Sequence, residues 1–271
     1  MPTCEQCHRR LDTATRGRPR RYCSRACQAQ AYRRRVAERQ VEAAPADERT
    51  LSVERIVAAA VALADDDGVD SVSMRRVAAR LDAGVMSLYR YVPGRDDLVD
   101  LMVDTLFARA ALPEPGPDGW RARLELSARY EWSIYAEHPW VASLVASTTR
   151  PPIAPHLMAY TDWRMRAVAG ETADFPTLIS VAILVSTFLQ GAALTLAQEN
   201  RATRDTGLDR RQWLARRRPA IDAAVRAHHL PMIARFGADS YAASEPEAVF
   251  EFGLARMLDG IAALLGGPAT R

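Results

Sequence analysis

The chain has 271 residues, enough for two domains and a sizeable core, and its 48% hydrophobic and 25% charged residues are the balance of a globular protein, not of a disordered or fibrous one. All 36 of its basic residues are arginine, set against 33 acidic ones for a net charge of +3, and this arginine usage reads as the coding bias of a GC-rich genome. The first thirty residues are basic and polar with no apolar run, so no signal peptide is expected. The expected compartment is a reducing cytoplasm, where clustered cysteines serve metals or catalysis before disulfides.

The charge is uneven along the chain. Residues 1–50 carry 12 arginines against 6 acidic residues, residues 51–110 carry 7 against 10, and the remainder is balanced at 17 against 17. The basic character therefore sits in the segment that also holds all four cysteines. Cys4 to His8 (CEQCH) has the spacing of a c-type haem attachment and equally of half a zinc site. A haem needs export and an axial-ligand pocket, and neither is expected. The second pair weighs further: Cys4-x2-Cys7-x15-Cys23-x3-Cys27 offers four soft thiolates, the complement of a closed tetrahedral structural zinc site. Ser24 can cap a helix running toward Arg39, placing the second pair in a first turn whose dipole favours thiolates. The arrangement resembles small zinc-ribbon or treble-clef modules with a CSxxC ending followed by YRRR. His8 is expected to be a bystander, and a tail with redox-active thiols is the alternative. Arg33, Arg34, Arg35 and Arg39 on that helix, with Arg16, Arg18, Arg20 and Arg21 before it, form a basic element suited to gripping DNA phosphates. A solvated basic tail is the simpler reading.

After residues 1–42, the stretch 43–50 (AAPADERT) reads as a linker. From Leu51 onward the apolar spacing is helical nearly throughout, so the fold class is all-α. A first helix is expected from the cap Ser52 to Gly68, with Val53, Ile56, Val57, Ala60, Leu63 and Ala64 inward. Ser73 caps a second, carrying Met74, Val77, Ala78 and Leu81. Asp82-Ala83 breaks the chain before a short third helix over 84–91, which Pro93-Gly94 ends. A fourth begins near Arg95, with Asp96 and Asp97 at its positive end and Leu98, Leu101, Met102 and Leu106 buried. Two short helices joined by a tight turn and braced by a longer one describe a helix-turn-helix, although periodicity alone fits a generic helical hairpin as well.

The residues go further. The stretch SMRRVAARLDAGVMSLYRYVPGRDDLVDLM closely resembles the DNA-binding domain of the tetracycline-repressor (TetR) family over roughly residues 51–107. The resemblance implies that Val85, Met86, Ser87 and Arg90 face base edges, that Tyr89 and Tyr91 pack on the sugar-phosphate backbone, and that Ser73 and Arg95 contact phosphate. Arg90 is the best placed of these to read guanine. Leu88 and Val77 read as core. Asp82 stands where the family usually has a turn glycine; aspartate tolerates the left-handed region better than most residues.

Leu112 to Gly119 (LPEPGPDG) is an expected loop, and His138-Pro139, Arg150 to Pro155 and Gly170 punctuate the helices beyond it. Residues 111–271 hold no HExxH, no Gly-rich phosphate loop, no GxSxG and no useful acid pair, so enzyme function is not expected. Thr177 to Ala197 carries no charge over 21 residues, long enough to span a bilayer. A helix buried on all sides is the expectation, with no membrane. The resemblance implies that Phe175 to Gln198 and Glu247 to Leu265 form a four-helix dimer interface. It also implies a mostly apolar pocket, for which Trp132, His138, Trp140, His156, Trp163 and Gln190 are candidate lining residues, with core packing the rival role for each. The expected protein is a cytoplasmic homodimeric repressor that binds double-stranded DNA and releases it when a small, partly hydrophobic effector binds. A zinc-dependent DNA-binding protein without an organic inducer is the alternative, and an enzyme or transporter-associated helical protein that borrowed the motif is a third.

Overall fold

The computed structural model describes residues 3–7, 9, 10, 22–24, 27, 51–146, 152–172 and 174–266. The chain divides into two compact parts, Met1–Leu51 and Ser52–Arg271. Among the described residues the only extended pairing is an antiparallel bridge between Thr3 and Arg10, and from Val53 onward the structure is helical.

Local sequence chemistry sets the first helices. Helix α1 (Val53–Asp67) starts where the Ser52 hydroxyl accepts from the Arg55 amide and stops at Gly68, whose φ of 84° favours glycine. A 3₁₀ turn (Val69–Ser71) leads to α2 (Met74–Arg80), capped by Ser73 through the Arg76 amide. Helix α3 (Val85–Leu88) and α4 (Arg95–Arg109) complete this part. The buried positions of α4 are Leu98, Val99, Met102, Val103, Leu106 and Phe107, whereas Leu101 is only half-buried. The expected single stripe is thus widened, because α4 packs on α1 with one side and on α7 with another.

Through that shared contact the helices on either side of residue 110 pack together, and residues 52–271 form one compact part. Beyond the loop come α5 (Trp120–Glu137), α6 (Trp140–Val145), α7 (Pro155–Val168) and α8 (Phe175–Thr206). Then follow α9 (Arg210–Ala227), a short α10 (Ala238–Ala243) and α11 (Pro246–Gly266). Helices α5, α6, α7 and α11 all pack against α8, the axis of the assembly. Gly253 of α11 allows the closest approach, for a Cβ there would collide with the Phe188 ring.

Helix α8 corrects one expectation. It is not buried on all sides: Leu178, Val181, Ala182, Val185, Leu189 and Ala193 are buried, but Ile179, Ile183 and Leu184 are exposed. It is long and apolar enough to cross a membrane by length and composition. The exposed stripe continues onto Val249, Phe252 and Leu264 of α11, so two helices of one chain present a joint apolar face.

A polar cluster lies inside the apolar core. Arg164 (α7), Glu131 and Ser127 (α5) are each at most 1% exposed. Arg164 Nη2 lies 2.5 Å from Glu131 Oε2, its Nε donates to Ser127 Oγ at 3.0 Å, and its Nη1 donates to Ser186 Oγ of α8 at 2.8 Å. The Tyr135 hydroxyl donates to the other Glu131 oxygen at 2.5 Å. Burial and the adjacent carboxylate push that hydroxyl well above its ordinary range, which keeps it a neutral donor. Every charge in the cluster is met, as a low-dielectric site requires.

Arg164→Ala or Glu131→Ala alone strands a buried charge and should cost about 3–5 kcal/mol in urea unfolding. Arg164→Met combined with Glu131→Leu should recover most of that loss. Additive losses in the double variant would contradict the pairing.

Candidate nucleic-acid interface

The turn between α2 and α3 is built on a left-handed residue. Asp82 has φ of 51°, as its place in the sequence requires, and the Ala83 amide closes the end of α2 on the Ala78 carbonyl at 3.0 Å. Helix α3 is shorter than the expected 84–91. Tyr89 to Tyr91 continue as a turn, held by the Val92 amide on the Leu88 carbonyl at 2.9 Å. Pro93 disfavours helix at Val92, and Val92 is itself buried, so the chain must leave the helical path there.

Leu88 is the anchor of α3, with 0% exposure, while Met86 on the outer side is 77% exposed. Val85 and Ser87 are half-buried, and Tyr89, Arg90 and Tyr91 are exposed. The base-facing and backbone-facing candidates thus gather on one outer surface around α3. Among the described residues no carboxylate pairs with Arg90 or with Arg75 of α2, whereas Arg76 pairs with Asp67 and Arg80 with Asp66 at 2.9 Å. Arg75 is a cation that the sequence reading passed over. Its position two residues after the Ser73 cap, at the amide-rich start of α2, was the available signal.

Two expected phosphate contacts fare differently. Ser73 caps α2, which uses its oxygen as acceptor and leaves its hydroxyl proton for another partner. Arg95 is exposed and also bonded within the chain: its Nε donates to the Val72 carbonyl at 2.9 Å and its Nη2 to the Val69 carbonyl at 3.2 Å. It ties the 3₁₀ turn to the start of α4, adding a second bond to the Val69 carbonyl, which also accepts from the Val72 amide at 3.1 Å.

The acidic surplus of this region is largely consumed internally. Besides the pairs of Asp66 and Asp67, Asp65 Oδ1 accepts from Trp140 Nε1 at 2.7 Å and lies 2.8 Å from His138 Nδ1. One carboxylate of α1 therefore ties the helix-turn-helix to the α5–α6 joint.

The six candidate pocket residues are spread over several helix joints. His138 and Trp140 hold Asp65, and Trp140 alone borders a hollow of about 390 Å³, between the end of α1, α6 and α8. Trp132 stacks on Phe250 with ring centroids 4.3 Å apart and donates to Glu247 at 2.6 Å, fastening α5 to α11. His156 lies on Asp104 at 2.9 Å, Trp163 closes over Gly116, and Gln190 is half-buried on α8. Trp132, Trp140 and Trp163 are largely buried, so the polar edge of each finds a partner at a helix joint, whereas His156 is exposed. A larger cavity of about 800 Å³ lies instead between the second half of α8 and the start of α11, bordered by Phe188, Ala192, Leu196 and Val249 with Glu199 and Arg210. Nothing in the local sequence marked it, because it forms only where three distant segments meet.

In the first compact part, Cys4, Cys7, Cys23 and Cys27 come together with all four sulfur atoms within 4.8 Å of one another. The Cys7 and Cys23 sulfurs are 3.4 Å apart, and those of Cys23 and Cys27 3.5 Å. The Cys4 amide donates to the Arg9 carbonyl at 2.8 Å beside the Thr3–Arg10 bridge, which folds the first pair into a tight loop. Ser24 caps the Cys27 amide at 3.2 Å, as expected. His8, Arg33, Arg34 and Arg35 lie outside the described residues.

Comparison with known proteins agrees with this geometry. The profile of bacterial regulatory proteins of the tetR family matches residues 56–102, and that of the tetracyclin repressor-like C-terminal domain matches residues 112–265. The HTH-type transcriptional repressor DrrR1 of Streptomyces coeruleorubidus is 36% identical over 80% of this chain and 79% of its own length. The class A tetracycline repressor protein from transposon 1721 of Escherichia coli is 26% identical over 76% of this chain and 88% of its own. Among solved structures, the Streptomyces coelicolor TetR family protein ActR in complex with actinorhodin is 26% identical, with a TM-score of 0.64, over 82% of this chain and 99% of that one.

The left-handed Asp82 predicts a simple test of the turn. Asp82→Gly should raise thermal stability by up to about 1 kcal/mol, whereas Asp82→Val should lower it by at least as much. Calorimetric unfolding of the two variants checks the pair, and a stabilising valine would contradict the assigned backbone.

Proposed function

The chain belongs to the TetR family of bacterial transcriptional regulators, and from that premise we propose that it is a homodimeric repressor. It acts in the cytoplasm, binds a double-stranded operator, and leaves it when a small, partly hydrophobic molecule binds. The observation that carries the proposal is the outer surface of α3, where Met86 and Arg90 are exposed while Leu88 is locked in the core. A short helix anchored by one buried leucine and free on its other side suits insertion into a major groove. Its regulatory relatives, rather than any catalytic group, set the class of activity.

Dimerisation follows from two requirements. Two recognition helices must meet successive major grooves about 34 Å apart, which one chain with one such helix cannot do. The joint apolar face of α8 and α11, with Phe252 at 69% exposure, needs cover from a second copy.

The cavity of about 800 Å³ between α8 and α11 is the effector site we favour, within the range of about 300–1,000 Å³ common for small molecules. Helix α8 supplies the route to DNA. Asn200 borders this cavity and also the hollow against α1, where Arg201 lies 3.7 Å from Asp70 and Arg204 flanks Gly68. An effector that favours a shifted α8 thereby biases the position of α1 and the helices it carries. Only a difference in affinity between the two arrangements is needed. The basic residues of the first fifty, Arg33, Arg34 and Arg35 among them, add phosphate contacts beside the operator half-site.

The operator is first obtained by genome-wide DNA capture with the purified protein. On that operator Arg90→Ala should weaken binding by about 1–3 kcal/mol and relax specificity at one base pair. Joint replacement of Arg33, Arg34 and Arg35 by alanine should instead weaken binding to all sequences and flatten the salt dependence by about 0.9 for each phosphate no longer neutralised. Equal effects of the two variants on operator and random DNA would overturn the division of roles. Ile183→Arg should yield a folded monomer with no operator affinity, read by analytical ultracentrifugation and circular dichroism.

A further inference from the structure

We infer that Cys4, Cys7, Cys23 and Cys27 bind one zinc ion as a closed tetrathiolate site, and that this ion is what folds the N-terminal part of the chain. The argument rests on sulfur geometry. A tetrahedral ion with zinc–sulfur bonds of about 2.3 Å holds its four sulfurs at mutual distances near 3.8 Å. All four sulfurs here lie within 4.8 Å of one another, with the two closest pairs at 3.4 and 3.5 Å. Disulfides would divide the four into two pairs bonded at about 2.05 Å. Here Cys23 is instead close to both Cys7 and Cys27, an arrangement that no pairing into disulfides produces.

The backbone around the site is shaped to present the sulfurs. The Thr3–Arg10 bridge and the bond from the Cys4 amide to the Arg9 carbonyl close a loop whose turn carries Cys7. On the other side the Ser24 hydroxyl caps the turn holding Cys27. Cys4 has no exposed surface, Cys23 and Cys27 are half-buried and Cys7 is exposed; four protein thiolates fill the tetrahedral coordination of zinc and leave no open position for a substrate. That is the character of a structural site and not of a catalytic one.

Binding displaces the four thiol protons to solvent and leaves a centre of net charge −2. The 12 arginines of residues 1–50 offset that charge. A segment this short, with few apolar residues, cannot bury enough surface to fold alone. Metal affinity therefore becomes folding free energy for this part, while residues 52–271 keep their own core.

The test uses the full-length chain, purified under reducing conditions. Elemental analysis should find one zinc per chain. Replacement by cobalt should give the thiolate charge-transfer and strong visible bands of a tetrahedral sulfur site. Chelation should remove amide-exchange protection from residues 3–27 and leave that of α1 to α11 unchanged. Cys4→Ser and Cys27→Ser should each weaken zinc retention at least tenfold, whereas His8→Ala should not. Four thiols that react freely with zinc present, iron in place of zinc after metal-replete expression, or a full zinc complement in a chain with all four cysteines changed to serine would each overturn the inference. These readouts need no DNA, so they stand or fall apart from the repressor assignment.

Discussion

The pairing of Arg164 with Glu131 is the constraint from which the rest of the fold hangs. Two charges removed from water are tolerable only when each meets the other and every remaining hydrogen-bonding group finds a partner. Arg164 reaches Glu131 and Ser127 on α5 and Ser186 on α8, and Tyr135 completes the carboxylate. These contacts admit one registration of α5, α7 and α8, where apolar packing alone would tolerate several. From that frame, α5 delivers His138 to Asp65, and α7 offers the surface on which α4 rests. The cluster is buried, and it bears on α3 only through the helices packed between them.

On the proposed reading, the same frame gives an event in the helical core a route to the DNA-binding end. Helix α8 has 32 residues and borders both the larger cavity and the hollow against α1. Packed helices move as bodies, so a displacement at Phe188 or Leu196 is carried to Arg201 and Arg204. The contacts across that hollow are polar and partly exposed, and such contacts exchange at small cost. The tie through Asp65 lies beside them and supplies a pivot. A strong hinge next to weak contacts is what a two-state element needs.

Charge in the DNA-binding end is arranged, not merely counted. An excess of acidic residues over 51–110 looks unsuited to a polyanion. The structure places Asp65, Asp66 and Asp67 at the end of α1, where they hold His138, Trp140, Arg80 and Arg76. Arg75 and Arg90 are left without acidic partners on the outer side, among the described residues. The local field at α3 is therefore more positive than the net count suggests, and the long-range share of attraction falls to the basic first fifty residues.

Much of this was legible in the residues. Ser52, Gly68, Ser73, Asp82 and Pro93 each act on the backbone within a few positions, so the helices they bound and the left-handed turn could be read directly. The four cysteines announced their cluster because metal-ligand spacing is itself a local signal. The pocket could not be read in this way. Trp132, His138, His156 and Trp163, the candidate lining residues, are each bound to a partner far along the chain that local spacing does not announce. The exposed face of α8 was likewise hidden, since a charge-free run looks the same whether its second side meets its own core or another copy. Local capping, periodicity and motif spacing thus determined the helices, the family and the exposed face of α3. Only the tertiary structure decided the buried ion pair, the tie made by Arg95 and the site of the larger cavity, because each depends on which segments distant in the chain come together.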